Sequence, residues 1–381
     1  MALPLVHSHD AFHGSESLRD VILIEWTSLE GVRGWGECST LTGSGYVTET
    51  TDEAWDSLVH IIGPRVLRGD HSDQMEILPG TPAAGAAMRD ARLDAYLRGR
   101  GASLTTYLGA AHTPLERCAV IAAVGETPER IAERAAAQVR SGAAMVKVKI
   151  APGHDRDVLA AVMDAVHPLP VAADANGAYA TAAEIQWIDE LDLAYIEQPF
   201  PALLTPTQLG EEAARLGTPV ALDESVTSLA ALRALARERA GAAVSIKAIR
   251  LGGIESAVAI GRTAMGLGLS VFVGGMLETG IGRAGALAVA SALALSPAQG
   301  SVRGSASEPM SESAPDPSPP LAPSLPTDLG PSSNYFAVDV CDPIECDDVG
   351  LISAPLGAGI GREPSTEILD RFTVGEVLLS R

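Results

Sequence analysis

Basic residues are scarce in this chain: 27 Lys and Arg stand against 48 Asp and Glu, a formal charge of −21. A surface of that sign repels phosphate backbones and anionic lipid headgroups, so nucleic acid is not expected as a partner. Cysteine is also sparse. The four present, Cys38, Cys118, Cys341 and Cys346, show neither CxxC spacing nor the density of a secreted disulfide scaffold. A reducing cytoplasm is the expected compartment. No run of about 18 apolar residues occurs, and the start, Met1-Ala-Leu-Pro, carries no basic segment leading into an apolar one. Neither export nor a membrane span is expected. What the chain has is apolar bulk: 46% of its 381 residues are hydrophobic, enough to bury a large core in one large domain or two ordinary ones.

From about Arg117 the sequence repeats one pattern, a short β-branched run ending in a polar residue and then a helix-patterned segment. The runs are Cys118–Val124, Met145–Ile150, Pro170–Asp174, Leu193–Glu197, Pro219–Asp223, Val244–Lys247 and Ser270–Gly274. Between them the spacing is helical: after Asp155, the residues Val158, Leu159, Val162, Met163 and Val166 share one face. Seven such units predict a closed (β/α)8 barrel, with the eighth strand at Ser324–Leu329 or slightly later. The preceding residues differ, with strands over Leu18–Thr27 and Val32–Cys38 and helices near Thr51–Ile62 and Ala83–Arg100. The fold class is therefore α/β, a TIM-type barrel with an α+β capping domain. Residues 1–115 form the cap, 116–333 the barrel, and 334–381 a segment returning to the cap. A Pro/Ser-rich tract at 304–326 cannot sustain helix or central strand and reads as a solvated insertion remote from the chemistry.

The chemistry is carried by charged residues at strand ends. In Met145–Ile150, alternation sends Val146, Val148 and Ile150 to one face and Lys147 and Lys149 to the other. An isolated KxK is as consistent with a solvated edge strand, but the next three runs end in Asp174, Glu197 and Asp223. A single strand-end acid is often a helix cap. Three on successive strands converge on the barrel face that carries catalysis and would repel one another unless a cation held them. All-oxygen ligation favours Mg²⁺, with Mn²⁺ as a substitute. The following strand supplies Lys247, so the lysine sets face each other across the metal. This suits removal of a proton next to a substrate carboxylate. Crowding by a second lysine and the metal is expected to lower the pKa of Lys149 and make it the base. All eight histidines lie at or before His167, which leaves none for strands six and seven.

These residues resemble the enolase superfamily, where a Lys or His base works with Mg²⁺. That mechanism comes with the resemblance and not from the spacing alone. Lys147-x-Lys149, Asp174, Glu197, Asp223 and Lys247 match the muconate-lactonizing-enzyme subgroup in order and spacing, and Gly34-Trp-Gly-Glu37 resembles its capping-domain signature. The run GGMLETGIGR from Gly274 to Arg283 and the run TDLGPS from Thr327 to Ser332 resemble the branch of o-succinylbenzoate synthases and N-succinylamino acid racemases. The resemblance spans nearly the whole chain. It implies Asp174, Glu197 and Asp223 as metal ligands, Lys149 as base, and Lys247 as a cation over the enediolate or as the opposite-face acid/base. Lys147 would tune Lys149 and touch the substrate carboxylate. The backbone of Gly274, Gly275 and Met276 would receive a succinyl group, and Arg250, three residues after Lys247, would favour racemisation. The implied reaction is dehydration of 2-succinyl-6-hydroxy-2,4-cyclohexadiene-1-carboxylate in menaquinone biosynthesis, with racemisation of N-succinylamino acids beside it. A small carboxylate is thus the expected partner, and a homo-oligomer the expected state.

Three features depart from the branch pattern. No strand precedes Leu3-Pro-Leu5, Ala123 stands where a serine is usual, and the 304–326 tract is additional. Residues His7–Glu16 correspond to a mobile lid. The competing readings are dipeptide epimerisation or cycloisomerisation on the same lysines, against which GGMLETGIGR argues, and a non-catalytic binding barrel, which would be expected to have lost a lysine or a ligand. The Gly-rich runs near Gly252 and Gly274 lack phosphate-loop spacing.

Overall fold

The computed structural model describes residues 1–11, 14–43, 49–69, 82–110, 112–122, 126–294 and 324–380, with the side chains of 7–11 and 14–16 outside that description. Ala123 and residues 304–323 of the Pro/Ser-rich tract therefore lie outside the described residues, as do the side chains of the expected lid.

The chain opens with β1 (Ala2–Ala11) and β2 (Gly14–Asp20), an antiparallel pair, followed by β3 (Ile22–Thr27) and β4 (Arg33–Cys38), a second one. The expected single strand Leu18–Thr27 is thus two. Val21 is the break: it is 1% exposed and spends its N–H on the Met1 carbonyl at 2.9 Å, after which the chain changes partner from β1 to β4. Leu3-Pro-Leu5 lies inside β1, with Leu3 fully buried. The helix Pro82–Gly99 packs on β4 so closely that a Cβ on Gly34 or Gly36 would fall 2.1 Å from the helix backbone. The two glycines of the GWGE run therefore allow the helix to sit there. The helical stretch expected over Thr51–Ile62 is an α-helix to Ser57 and a π-helical turn over Leu58–Ile62.

Seven parallel strands follow, β5 (Cys118–Ile121), β6 (Met145–Lys149), β7 (Val171–Asp174), β8 (Ile196–Glu197), β9 (Val220–Leu222), β10 (Ala243–Ile246) and β11 (Ser270–Val273), side by side in chain order. Helices separate them. One, Arg156–Val166, begins at the Asp155 cap and buries Val158, Leu159, Val162 and Val166, each worth about 1.5–3 kcal/mol of apolar burial. In β6, Val146 and Val148 are fully buried within the large core shared with the helices. Met145 instead joins a separate cluster with Cys118, Ala172, Tyr195, Ala221, Ala243 and Phe272, which fills the other side of the sheet. Lys147 and Lys149 share the side of Met145 by alternation.

After residue 323 the chain runs between the two ends of this curled sheet. Leu325 and Asp328 donate to the β11 carbonyls of Val271 and Val273, Thr327 donates to Glu116, and Cys118 donates to Thr327. Beyond it the chain returns to the N-terminal elements. Val6 donates to Tyr335 and Ala337 to Pro4, Ile360 donates to Asp94, and the Trp35 indole donates to Glu363 at 3.1 Å. Among the described residues no helix is long and apolar enough to cross a membrane.

Candidate active site

The ends of β6, β7 and β8, the residues after β10 and β11, and Asp328 of the 324–330 segment meet around one cavity, with Asp223, fully buried after β9, outside its lining. Its lining includes Lys147, Lys149, Asp174, Asn176, Glu197, Lys247 and Asp328, together with Gly275, Met276, Leu277, Arg283 and Tyr335. Leu41 and Val120 add apolar wall. The structure thus brings both expected catalytic lysines and Lys147 to one place. Registry explains the acids: Asp174 on β7 lies beside Glu197 on β8, and β6 pairs Lys149 directly with Asp174.

Each lysine is matched to an acid. Lys147, 2% exposed, donates to both Glu197 and Asp328 and stands 4.9 Å from the Phe272 ring centroid. Lys149 donates to Asp174 at 2.9 Å and to Asn176 Oδ1 at 2.7 Å. Lys247 donates to Asp223 at 2.7 Å, and the Arg250 guanidinium binds the other oxygen of the same carboxylate and the Asp223 carbonyl. Burial pulls the Lys147 ammonium down, but Asp328 and Glu197 outweigh it and hold its pKa well above the ordinary value. Burial alone would raise the Asp223 carboxyl, yet Arg250 and Lys247 keep it well below the usual range. Glu197 goes the other way, pushed up to about 8 by burial and by the neighbouring Asp174 and Asp223 despite Lys147. Glu224 is likewise pushed up to about 7 by burial and Asp223.

Arg250 does not line the cavity; it lies behind Asp223, where two buried opposite charges and a carbonyl satisfy it better than an open pocket would. The three acids also do not gather on one point: among the described residues no group of three His, Cys, Asp or Glu side chains is close enough to hold an ion, because each carboxylate is drawn to its own cation. The donor chemistry nevertheless fits a hard divalent cation. Asp174 and Glu197 end β7 and β8, Asp223 follows β9 directly, all three offer only oxygen, and burial with the added repulsion of Asp174 and Asp223 leaves Glu197 reluctant to ionise, a cost that a cation relieves.

The GGM run is tightly held. Gly274 donates to the Ile246 carbonyl, Met276 donates to Glu278 at 2.8 Å, and the Met276 carbonyl accepts from the buried Arg19 at 3.1 Å. Leu277 takes a positive φ of 55°, a conformation that costs a leucine energy and marks this turn as strained. Residues not singled out from the sequence also shape the site. Gln198 accepts from the Asp223 and Ser225 amides and so ties the β8 end to the β9 end. Asn176, Gln198, Glu224 and Asp328 each sit next to or two residues beyond a chosen lysine-matched acid, or within the TDLGPS run, so strand-end position was the available signal. Arg19, Leu41, Val120 and Tyr335 carry no local signal.

A (β/α) sheet with lysines and acids at its strand ends defines a class, and the comparisons name it. The enolase C-terminal domain-like family model matches residues 130–320. The chain is similar to the N-succinylamino acid racemase of Thermus thermophilus, 30% identical over 100% of this chain and 97% of that one. It is similar to the o-succinylbenzoate synthase of Geobacillus kaustophilus, 30% identical over 94% of this chain and 90% of that one. An enolase-superfamily structure from Listeria innocua superposes with a TM-score of 0.84 at 25% identity, covering 98% and 95% of the two chains. The chain belongs to the enolase superfamily, and its full-length relatives are named as lyases and racemases.

Proposed function

We propose that this protein is an o-succinylbenzoate synthase that also racemises N-succinylamino acids. The observation that carries the reading is that Lys149 and Lys247, four strands apart in the sheet, line one cavity with Asp174 and Glu197 between them. In this reading Lys149 removes the proton next to the substrate carboxylate. Lys247 stays a cation over the developing negative charge during dehydration, and exchanges a proton from the other face during racemisation. Lys147, a buried cation by virtue of Asp328 and Glu197, helps to orient the substrate carboxylate. Asp174, Glu197 and Asp223 would hold Mg²⁺, or Mn²⁺ in its place, which when bound offsets the charge that deprotonation adds to the carboxylate. Gly275 and Met276 line the cavity and would face the succinyl group, with Gly274 behind them. Arg250 acts through Asp223 and Lys247 and not by touching substrate.

The same reading takes the bonds of residues 325–328 to β11 and to the start of β5 as closing a (β/α)8 barrel over 116–333. Residues 1–115 and 334–381 form the cap. The free cysteines among the described residues agree with a cytoplasmic enzyme. A homo-oligomer is part of the proposal and is tested by sedimentation. The experiment for the function is to assay purified, Mg²⁺-loaded protein for dehydration of 2-succinyl-6-hydroxy-2,4-cyclohexadiene-1-carboxylate and for racemisation of a panel of N-succinylamino acids. Turnover in the first is expected, with turnover in the second for at least one side chain. Turnover in neither overturns the reading.

A further inference from the structure

Lys149 is steered from two directions. Besides Asp174, its ammonium is bonded to the amide oxygen of Asn176 at 2.7 Å. An amide can accept that bond in only one of its two orientations, and here the far end decides which: Asn176 Nδ2 donates to Glu224 Oε1 at 3.0 Å. Turned over, the amide would set its NH₂ against an ammonium and its oxygen against a carboxylate, two repulsive contacts. The backbone of Asn176 is pinned as well. Its φ is +42°, in the left-handed region that asparagine tolerates, and its N–H donates to Asp174 Oδ1 at 3.1 Å. The other Glu224 oxygen is buried and makes no hydrogen bond, so the contact to Asn176 is the polar bond that the structure gives this side chain. Lys247 is held differently, by Asp223.

We propose that Asn176 and Glu224 are positioning residues for Lys149: Glu224 fixes the Asn176 amide, and the amide oxygen holds the ammonium on the substrate face that Lys149 deprotonates. The proposal rests on the reading of Lys149 as base. It implies an asymmetry between the two faces, because the pair's hydrogen bonds lead to Lys149, whereas Lys247 is bonded to Asp223 and senses Glu224 as a nearby charge.

The test follows solvent deuterium exchange at the α-carbon of each enantiomer of one N-succinylamino acid separately, by NMR, in the Mg²⁺-loaded enzyme. Lys149→Ala defines which enantiomer belongs to Lys149. Glu224→Ala is expected to shift the ratio of the two exchange rates by about tenfold or more against that enantiomer, in line with what small misplacements of a reacting group cost. Glu224→Gln, whose amide oxygen still accepts from Asn176, is expected to recover most of that loss. Asn176→Asp, which keeps the left-handed backbone but places two carboxylates together, should lose the same enantiomer. Adding Glu224→Gln to Asn176→Asp should restore it, since Gln can then donate. Equal loss for both enantiomers, or a double variant no better than Asn176→Asp, overturns the positioning role. Exchange of both enantiomers surviving Lys149→Ala overturns the base assignment, and the positioning role with it.

Discussion

Gly274 and Lys247 share one space: a Cβ built on Gly274 falls 2.7 Å from Lys247 Cε and 2.7 Å from Ser245 Oγ. The first glycine of the GGM run is therefore required because it leaves room for the lysine on the neighbouring strand end. The atoms it would meet belong to flexible or small side chains, so the fold can absorb a methyl group while Lys247 moves. Gly274→Ala should fold with a Tm near that of the parent and lose exchange for the enantiomer served by Lys247. Unchanged kinetics for that enantiomer would show that Lys247 has another resting place.

Lys149→Ala should abolish both reactions with the fold intact, because the proton acceptor is gone from that face. General-base catalysis is worth about 10²–10⁴-fold, and a loss of that size in kcat for dehydration is expected. Retention of parental kcat would move the base elsewhere in the cavity.

Chelation should remove activity, and Mg²⁺ or Mn²⁺ should restore it. A second readout does not depend on turnover: a ligand that binds only the folded state raises Tm with its concentration. That rise should be present in the parent and absent in Glu197→Gln. A metal-independent Tm in the parent would disagree with the ligand set.

The βα rhythm was legible because parallel strands are covered on both sides and read as short apolar runs at regular intervals; each of the seven expected runs overlaps an observed strand. That Lys147, Lys149, Asp174, Glu197 and Lys247 gather at one cavity was legible because they stand at the ends of neighbouring strands. The hairpin β1–β2 was not, since the split at Val21 depends on a bond to Met1 twenty residues away. The place of Arg250 behind Asp223 is not legible for a related reason. Sequence shows that it follows Lys247, but only packing shows that the chain turns after β10 and points it at Asp223.

The pairing of Arg250 with Asp223 revises how it acts on Lys247. Burial lowers the lysine and the neighbouring guanidinium does so too, yet Asp223 together with Glu197 and Glu224 outweighs them and Lys247 ends above its ordinary value. Arg250→Gln leaves the Asp223 charge to Lys247, which then gives up its proton less readily. Racemisation, which needs that exchange, should fall much more than dehydration, which needs a cation. Equal losses in both assays would assign Arg250 to the fold.

Glu37 makes the last prediction, on stability. It reaches from β4 to cap the helix Gly280–Leu293, accepting from the Thr279 amide at 2.9 Å and the Gly282 amide at 2.7 Å. Burial outweighs these bonds and pushes its carboxyl up to about 7. The folded state then holds the Glu37 proton more tightly than the unfolded chain does. Its contribution is full below the unfolded value of about 4.5 and is lost as pH rises through about 7, a change on the order of 3 kcal/mol. Asp90 and Glu49, each also pushed up to about 7 by burial, steepen the overall decline in the same window. Glu37→Gln cannot titrate. It replaces one acceptor by a donor facing N–H groups and so carries a constant penalty, while its pH slope loses the Glu37 share. Urea unfolding from about pH 5 to 8 should therefore show the variant gaining on the parent as pH rises. A pH-independent difference between them would mean that the buried carboxyl titrates as it does in the unfolded chain.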